Sequence, residues 1–191
     1  MAKIAVYLAD FNPIHVGHLE FALKARDKYF LDKVYFLPER NLQDGEYYVH
    51  LGHRVSMLKQ ALKPYPKFNI LESDYRVFDL NKTLPKIRQK FSSGQLFLLM
   101  DLKTYSRFKL IKNKAFMLGF FHIVIGLTSR LELQQLKDNS DKQLDIIFNK
   151  NLAINNQVQS ALFKNKFTEA GLLKSVIKYS LINWLYVSLD N

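Results

Sequence analysis

The stretch from Lys3 to Leu8 is β-rich and almost continuously apolar, and it runs straight into the turn-forming segment Ala9-Asp10-Phe11-Asn12-Pro13. A strand with so little polar alternation belongs in the middle of a parallel sheet, covered on both faces. Beyond the turn, Val16, Leu19, Ala22, Leu23 and Phe30 recur near helical spacing, which predicts a helix from about Val16 to Tyr29. Strand, tight turn and helix open a βαβ unit, and a chain that opens this way has few architectures left to it.

The alternation continues. Lys33 to Pro38 reads as a second strand, stopped by a proline that cannot continue a central ladder, and Asn41 to Tyr48 as a polar loop over its end. Leu51 to Leu62 has the pattern of a helix with Val55, Leu58, Ala61 and Leu62 inward, closed by Pro64-Tyr65-Pro66. Phe68 to Leu71 is a short strand, Leu80 to Phe91 a helix, and Leu96 to Met100 and Phe121 to Ile125 two further apolar strands with a basic helix between them. Asn149 to Gln159 is rich in Asn and Gln, and Gly171 to Leu189 is a long apolar helical candidate. The reading is an α/β fold, a Rossmann-like doubly wound parallel sheet with a helical C-terminal segment. Ligands of such sheets bind outside the C-terminal ends of the strands, so Asp10 to His18 and Asp101 are expected on one rim, sharing one pocket.

Length and composition agree with one domain over residues 1–191: no internal repeat or dividing linker is evident, and 48% of residues are apolar, enough to fill a continuous core. The chain has no cysteine, which excludes disulfides and thiolate chemistry and weakens any zinc site. Met1 to Leu8 is too short and too soon interrupted by Asp10 for a signal peptide or membrane span, so a cytoplasmic protein without a membrane partner is expected. The net charge of +11 suits RNA, an anionic surface or phosphorylated small molecules alike. Its local cluster, Lys103, Arg107, Lys109, Lys112 and Lys114, reads as the solvated face of a short helix whose Phe108, Leu110 and Ile111 turn inward.

The most informative segment is Leu8-Ala9-Asp10-Phe11-Asn12-Pro13-Ile14-His15-Val16-Gly17-His18. Two imidazoles one turn apart at a helix start can point to one side, exposed first-turn amides attract phosphate, and Gly17 lets backbone approach a ligand. The run from Phe11 to His18 resembles the F-[DN]-P-x-H-x-G-H signature of the bacterial nicotinate-mononucleotide adenylyltransferases, within the HxGH nucleotidyltransferase superfamily. His53-Arg54 with Met57-Leu58 and Ala61-Leu62 resembles the family's H-R-x-x-M-L-x-x-A-L helix, Thr83-Leu84 the end of its Y-T-x-x-T-L segment, and Leu185-Tyr186 the L-Y of its last helix.

The resemblance implies the nucleotidyltransferase version of the fold and transfer of an adenylyl group from ATP to nicotinate mononucleotide or a related mononucleotide, with release of pyrophosphate. It implies His18 and His15 as catalytic residues, with Phe11, Asn12, Gly17, Arg54 and Asp101 at the nucleotide. Mg²⁺ would accompany ATP, held mostly by phosphate oxygens and water, and no protein metal ligand can be named. ATP and a phosphorylated small molecule are thus the expected partners; a homo-oligomer stays open. A nucleic-acid partner is not expected, since no RNA-binding motif is recognisable.

Several positions depart from the family pattern. Leu8-Ala9-Asp10 stands where G-G-[TS] is usual, and Leu8 and Ala9 should crowd a phosphate that Asp10 repels. The G-x-D segment reads Asp101-Leu102-Lys103, Phe78-Asp79 replaces Y-T, and Ile154 to Ser160 keeps only the isoleucine of I-S-S-T-x-I-R. Two other readings follow from these departures and from the charge: a degenerate relative that binds a nucleotide or regulates a partner without turnover, and a basic RNA-associated protein on the same scaffold.

Overall fold

The computed structural model describes residues 1–39, 49–71, 80–108, 119–137, 144–153 and 171–186. Its centre is a six-stranded sheet, β1 (Lys3–Ala9), β2 (Lys33–Pro38), β3 (Phe68–Ile70), β4 (Gln95–Asp101), β5 (Phe121–Leu127) and β6 (Leu144–Phe148), in the order β3-β2-β1-β4-β5-β6. Every pairing is parallel. Strand order therefore reverses between β1 and β4, the place where a doubly wound sheet opens a crevice at its C-terminal edge. The described helices are α1 (Val16–Tyr29), α2 (Leu51–Leu62), α3 (Leu80–Lys90), α4 (Leu102–Phe108), α5 (Arg130–Lys137) and α6 (Lys174–Ile182), with a 3₁₀ turn at Lys150–Ala153.

The period-two geometry of each strand sorts its side chains into two cores. From β1, Ala5, Tyr7 and Ala9 enter one layer with Phe21 and Ala22 of α1, Met57 and Leu58 of α2, and Val176 of α6. Val6 and Leu8 enter the other, with Leu84 and Ile87 of α3, Tyr105 of α4 and Leu136 of α5. Ala5, Val6, Tyr7 and Leu8 are fully buried, as a strand apolar on both faces requires.

The expected boundaries of α1, β2 and α2 coincide with those observed, and β1, β4 and β5 run slightly longer than their apolar centres. The C-terminal helix is shorter than expected: α6 closes at Ile182 with Asn183 as its C-cap. Two elements carry no strong sequence signal, α5 and β6. β6 is an edge strand, half-buried along most of its length and interrupted by Asp145, so it lacks the apolar run that betrays a central strand. The polar loop 41–48, Phe78-Asp79, the basic positions from Lys109 to Lys114 and the segment 154–160 lie outside the described residues.

The expectation that Leu8 crowds the ligand is corrected here. Its side chain is directed into the core with Leu37, Leu98 and Met100 and is fully buried. Shortening it empties the core rather than relieving the crevice. Leu8→Ala should cost the fold about 3 kcal/mol, measured by urea unfolding; a loss under about 1 kcal/mol would contradict this placement.

Candidate active site

Helix α1 begins with no acidic residue in its first turn, and imidazoles receive its leading amides instead. His15 is the N-cap, in extended conformation: its Nδ1 accepts from the Gly17 N–H at 3.1 Å, while Nδ1 of His18 accepts from the His15 N–H at 3.3 Å. This is a capping box with histidine in both roles. The rings lie 3.7 Å apart between centroids, tilted by 34°.

The cap fixes the tautomers. An Nδ1 that accepts from a backbone amide carries a lone pair, so each neutral ring bears its proton on Nε2 and presents that nitrogen as a donor. His15 is fully buried and His18 nearly so, edge-on to Phe11 at 5.0 Å and to Tyr7 at 6.0 Å. Burial pushes the His15 pKa down to about 3; burial first, and the neighbouring His15 second, hold His18 well below the usual imidazole range. Both rings are neutral at pH 7. Nε2 of His15 is buried without a hydrogen-bond partner among the described residues.

The remaining residues of the motif hold this turn in place. Phe11 is fully buried at φ 47°, packed between Tyr7 and Phe36. The Asn12 carboxamide oxygen accepts from the Val49 N–H at 3.3 Å and from the Tyr186 hydroxyl at 2.9 Å. Arg54, 2% exposed, donates from Nε to the Val49 carbonyl at 3.0 Å and from Nη1 to the Asp10 carbonyl. Asn12 and Arg54 thus bolt the β1–α1 turn to the entry of α2. Gly17 has a packing reason of its own: a Cβ there would overlap the Asn151 carbonyl, and Asn149 Nδ2 donates to the Gly17 carbonyl at 2.9 Å.

Asp101, at the end of β4, accepts from the Thr104 N–H at 2.7 Å and so caps α4. The parallel register pairs Leu8 with Met100, which sets the turn after β1 and Asp101 on the same edge of the sheet. Across that edge, Lys103 Nζ lies 3.4 Å from Asp10 Oδ2. A cavity of about 610 Å³, lined among others by Arg88, Gln95, His122 and Asp145, sits at the opposite, N-terminal ends of the strands.

Two features escaped the sequence reading. One is the Asp10–Lys103 pair, whose members lie 93 positions apart. The other is visible as a string: His50-Leu51-Gly52-His53 repeats the H-x-G-H pattern at the start of α2. Its first histidine behaves identically, His50 Nδ1 accepting from the Gly52 N–H at 3.2 Å. Its second does not, since His53 Nδ1 meets the Tyr179 hydroxyl of α6 at 3.0 Å. The string alone specifies the cap; burial makes the first copy a coupled pair.

The cytidylyltransferase-like family model matches residues 6–166, and the chain belongs to that family, among the HxGH nucleotidyltransferases. A probable nicotinate-nucleotide adenylyltransferase of Legionella pneumophila is 34% identical over 108 residues, 52% of this chain and 49% of its own length. The chain therefore spans about half the length of that curated relative. A protein of the same description from Clostridium tetani is 30% identical over 162 residues, covering 78% of this chain and 79% of the relative. The Plasmodium falciparum nicotinic acid mononucleotide adenylyltransferase complexed with NaAD shares the fold, with a TM-score of 0.73 at 13% identity over 97% of this chain and 98% of that one.

His18 is buried, so its loss removes a cap and opens a void between Phe11 and Tyr7. Two rings kept neutral in the fold give stability a pH dependence. The unfolded chain takes up protons near pH 6.5 that the folded rings refuse, so their contribution is complete above pH 6.5 and falls as pH drops toward about 3 for His15. We expect urea stability to decline below pH 6.5 by up to about 1.4 kcal/mol per pH unit for each ring. Replacing both by Asn should flatten that decline; parallel pH profiles for the two proteins would contradict the assignment.

Proposed function

We propose that this protein transfers an adenylyl group from ATP to nicotinate mononucleotide or a closely related mononucleotide, releasing pyrophosphate. The observation that carries the reading is the pair of neutral imidazoles, His15 and His18, fixed as Nε2–H donors at the start of α1 beside the switch point of the sheet. Family membership supports the reaction class, and the descriptions of the Legionella and Clostridium relatives support the acceptor.

In this reaction a phosphate oxygen of the mononucleotide attacks the α-phosphorus of ATP. The bond from that phosphorus to the oxygen bridging the β-phosphate breaks, and pyrophosphate leaves with the electron pair. Negative charge gathers on the oxygens around the α-phosphorus, and preorganised donors lower the barrier where it gathers. His18 supplies such a donor, with His15 behind it. Because both rings are neutral, they donate hydrogen bonds without delivering a proton. A buried donor without a partner costs about 1–3 kcal/mol, and an arriving phosphate oxygen would remove that cost at His15 Nε2.

Mg²⁺ would travel with the triphosphate, held by phosphate oxygens and water, and would spread the charge of the leaving group. The described residues contain no group of three His, Cys, Asp or Glu side chains able to hold an ion of their own. Phe11, Asn12 and Arg54 serve the nucleotide by holding the turn that carries the imidazoles, Gly17 by letting α1 start where it does, and Asp101 by closing the β4 side of the crevice.

The test is steady-state pyrophosphate release with ATP, Mg²⁺ and either nicotinate or nicotinamide mononucleotide. His18→Asn keeps an acceptor for the His15 amide and removes the ring donor. It should lower kcat/KM about a hundredfold to a thousandfold. A variant retaining more than half of wild-type kcat/KM would refute the role of His18, and nucleotide binding without any release by the wild type would favour the non-catalytic relative.

A further inference from the structure

We propose that Lys103, held across the crevice by Asp10, is an anion-binding residue of this site that takes a substrate phosphate, with Asp10 as its positioning residue. The proposal rests on the adenylyl-transfer reading only for which phosphate that is.

Its first support is placement. Asp10 follows the last residue of β1 and Lys103 lies just past the end of β4, the two strands between which the sheet order reverses. Their contact, 3.4 Å from Nζ to Oδ2, spans the opening where a doubly wound sheet binds its ligand. The second is asymmetry. The Asp10 side chain is 13% exposed and that of Lys103 is 70% exposed, so the carboxylate is tucked into the turn while the ammonium stands over the crevice. An ammonium has three donors, and one carboxylate oxygen leaves capacity for a further acceptor.

The third support is what the neighbouring donors are committed to. Arg54, the cation nearest in sequence to this edge of α2, is buried and committed to the Val49 and Asp10 carbonyls. His15 and His18 are neutral donors. A polyanionic substrate needs formal positive charge, and between β1 and β4 the exposed Lys103 ammonium offers it. Asp10 alone would repel such a substrate; paired, it aims the charge that attracts it. The pairing also joins two positions that each depart from the family pattern.

A pair at this distance whose ammonium is exposed is weak, so exchanging the carboxylate for a phosphate oxygen is easy. Asp10 then restricts where the long lysine chain can reach, which a free surface lysine lacks.

The experiment titrates the full chain with inorganic tripolyphosphate, ATP and nicotinate mononucleotide separately, at low and high salt. The proteins are the wild type, Lys103→Met, Lys103→Arg, Asp10→Asn and the Lys103→Met/Asp10→Asn pair, with unfolding curves for each. Lys103→Met should weaken binding of tripolyphosphate about tenfold at low salt, less at high salt, and Lys103→Arg should recover most of the loss. Loss for ATP alone assigns Lys103 to the triphosphate, and loss for the mononucleotide alone assigns it to the acceptor phosphate. Asp10→Asn should weaken binding in the wild-type background and, by removing a carboxylate that has lost its lysine, tighten it in the Lys103→Met background.

Lys103→Met binding every probe within twofold of wild type overturns the proposal, as does a wild type that binds none of them. Asp10→Asn tightening binding equally in both backgrounds overturns the positioning role. Lys103-dependent tripolyphosphate binding without pyrophosphate release would uphold this proposal while the adenylyl-transfer reading fails.

Discussion

Two backbone amides at the start of one helix are satisfied by imidazoles, and much of the site follows from that choice. A hydroxyl or carboxylate at the N-cap would close the same hydrogen bonds and contribute nothing beyond them. An imidazole that accepts at Nδ1 must carry its proton at Nε2, so the cap that starts α1 also decides which nitrogen of each ring is a donor. Because the rings cap each other's segment, they are stacked side by side and buried, and burial keeps them uncharged. Helix initiation, ring orientation and protonation state are one arrangement.

Neutral donors divide the electrostatic work of the site. Hydrogen bonds at the base of the crevice come from groups without net charge, which can be buried in an aromatic setting of Tyr7, Phe11 and Phe36 without the desolvation cost of an ion. Formal charge is kept at the exposed edge, where water shields it until a ligand arrives. Arg54 is the exception to this division: its guanidinium is buried, and its donors are spent on backbone carbonyls, where they brace the turn.

The sequence made legible whatever depends on short-range pattern. β1, α1, β2 and α2 follow from apolar runs, helical spacing and proline stops, and the histidine pair follows from its place after the first strand. What depended on distant partners was hidden. The packing role of Gly17 needs Asn149 and Asn151, more than a hundred positions away; Asp10 taken alone is a repulsive charge, and its partner Lys103 lies 93 positions on. The burial of His18 has the same origin, since a helix-start histidine looks exposed until Tyr7 and Phe11 close over it. β6 was hidden for the reason that edge strands usually are, a lack of continuous apolar character.

The contact between α1 and the segment after β6 carries a consequence for how the protein is made. Asn149 Nδ2 reaches back to the Gly17 carbonyl across a sequence separation of 132, and Asn151 reaches Glu20 in the same region. The first motif of the chain is thus completed by residues that leave the ribosome long after it. A nascent polypeptide holding every residue from Phe11 to His18 still lacks the wall against which α1 is seated, and such a high-contact-order closure belongs late in assembly. Ligand competence and completion of the sheet arrive together, so an unfinished chain displays the motif without the seat that supports it.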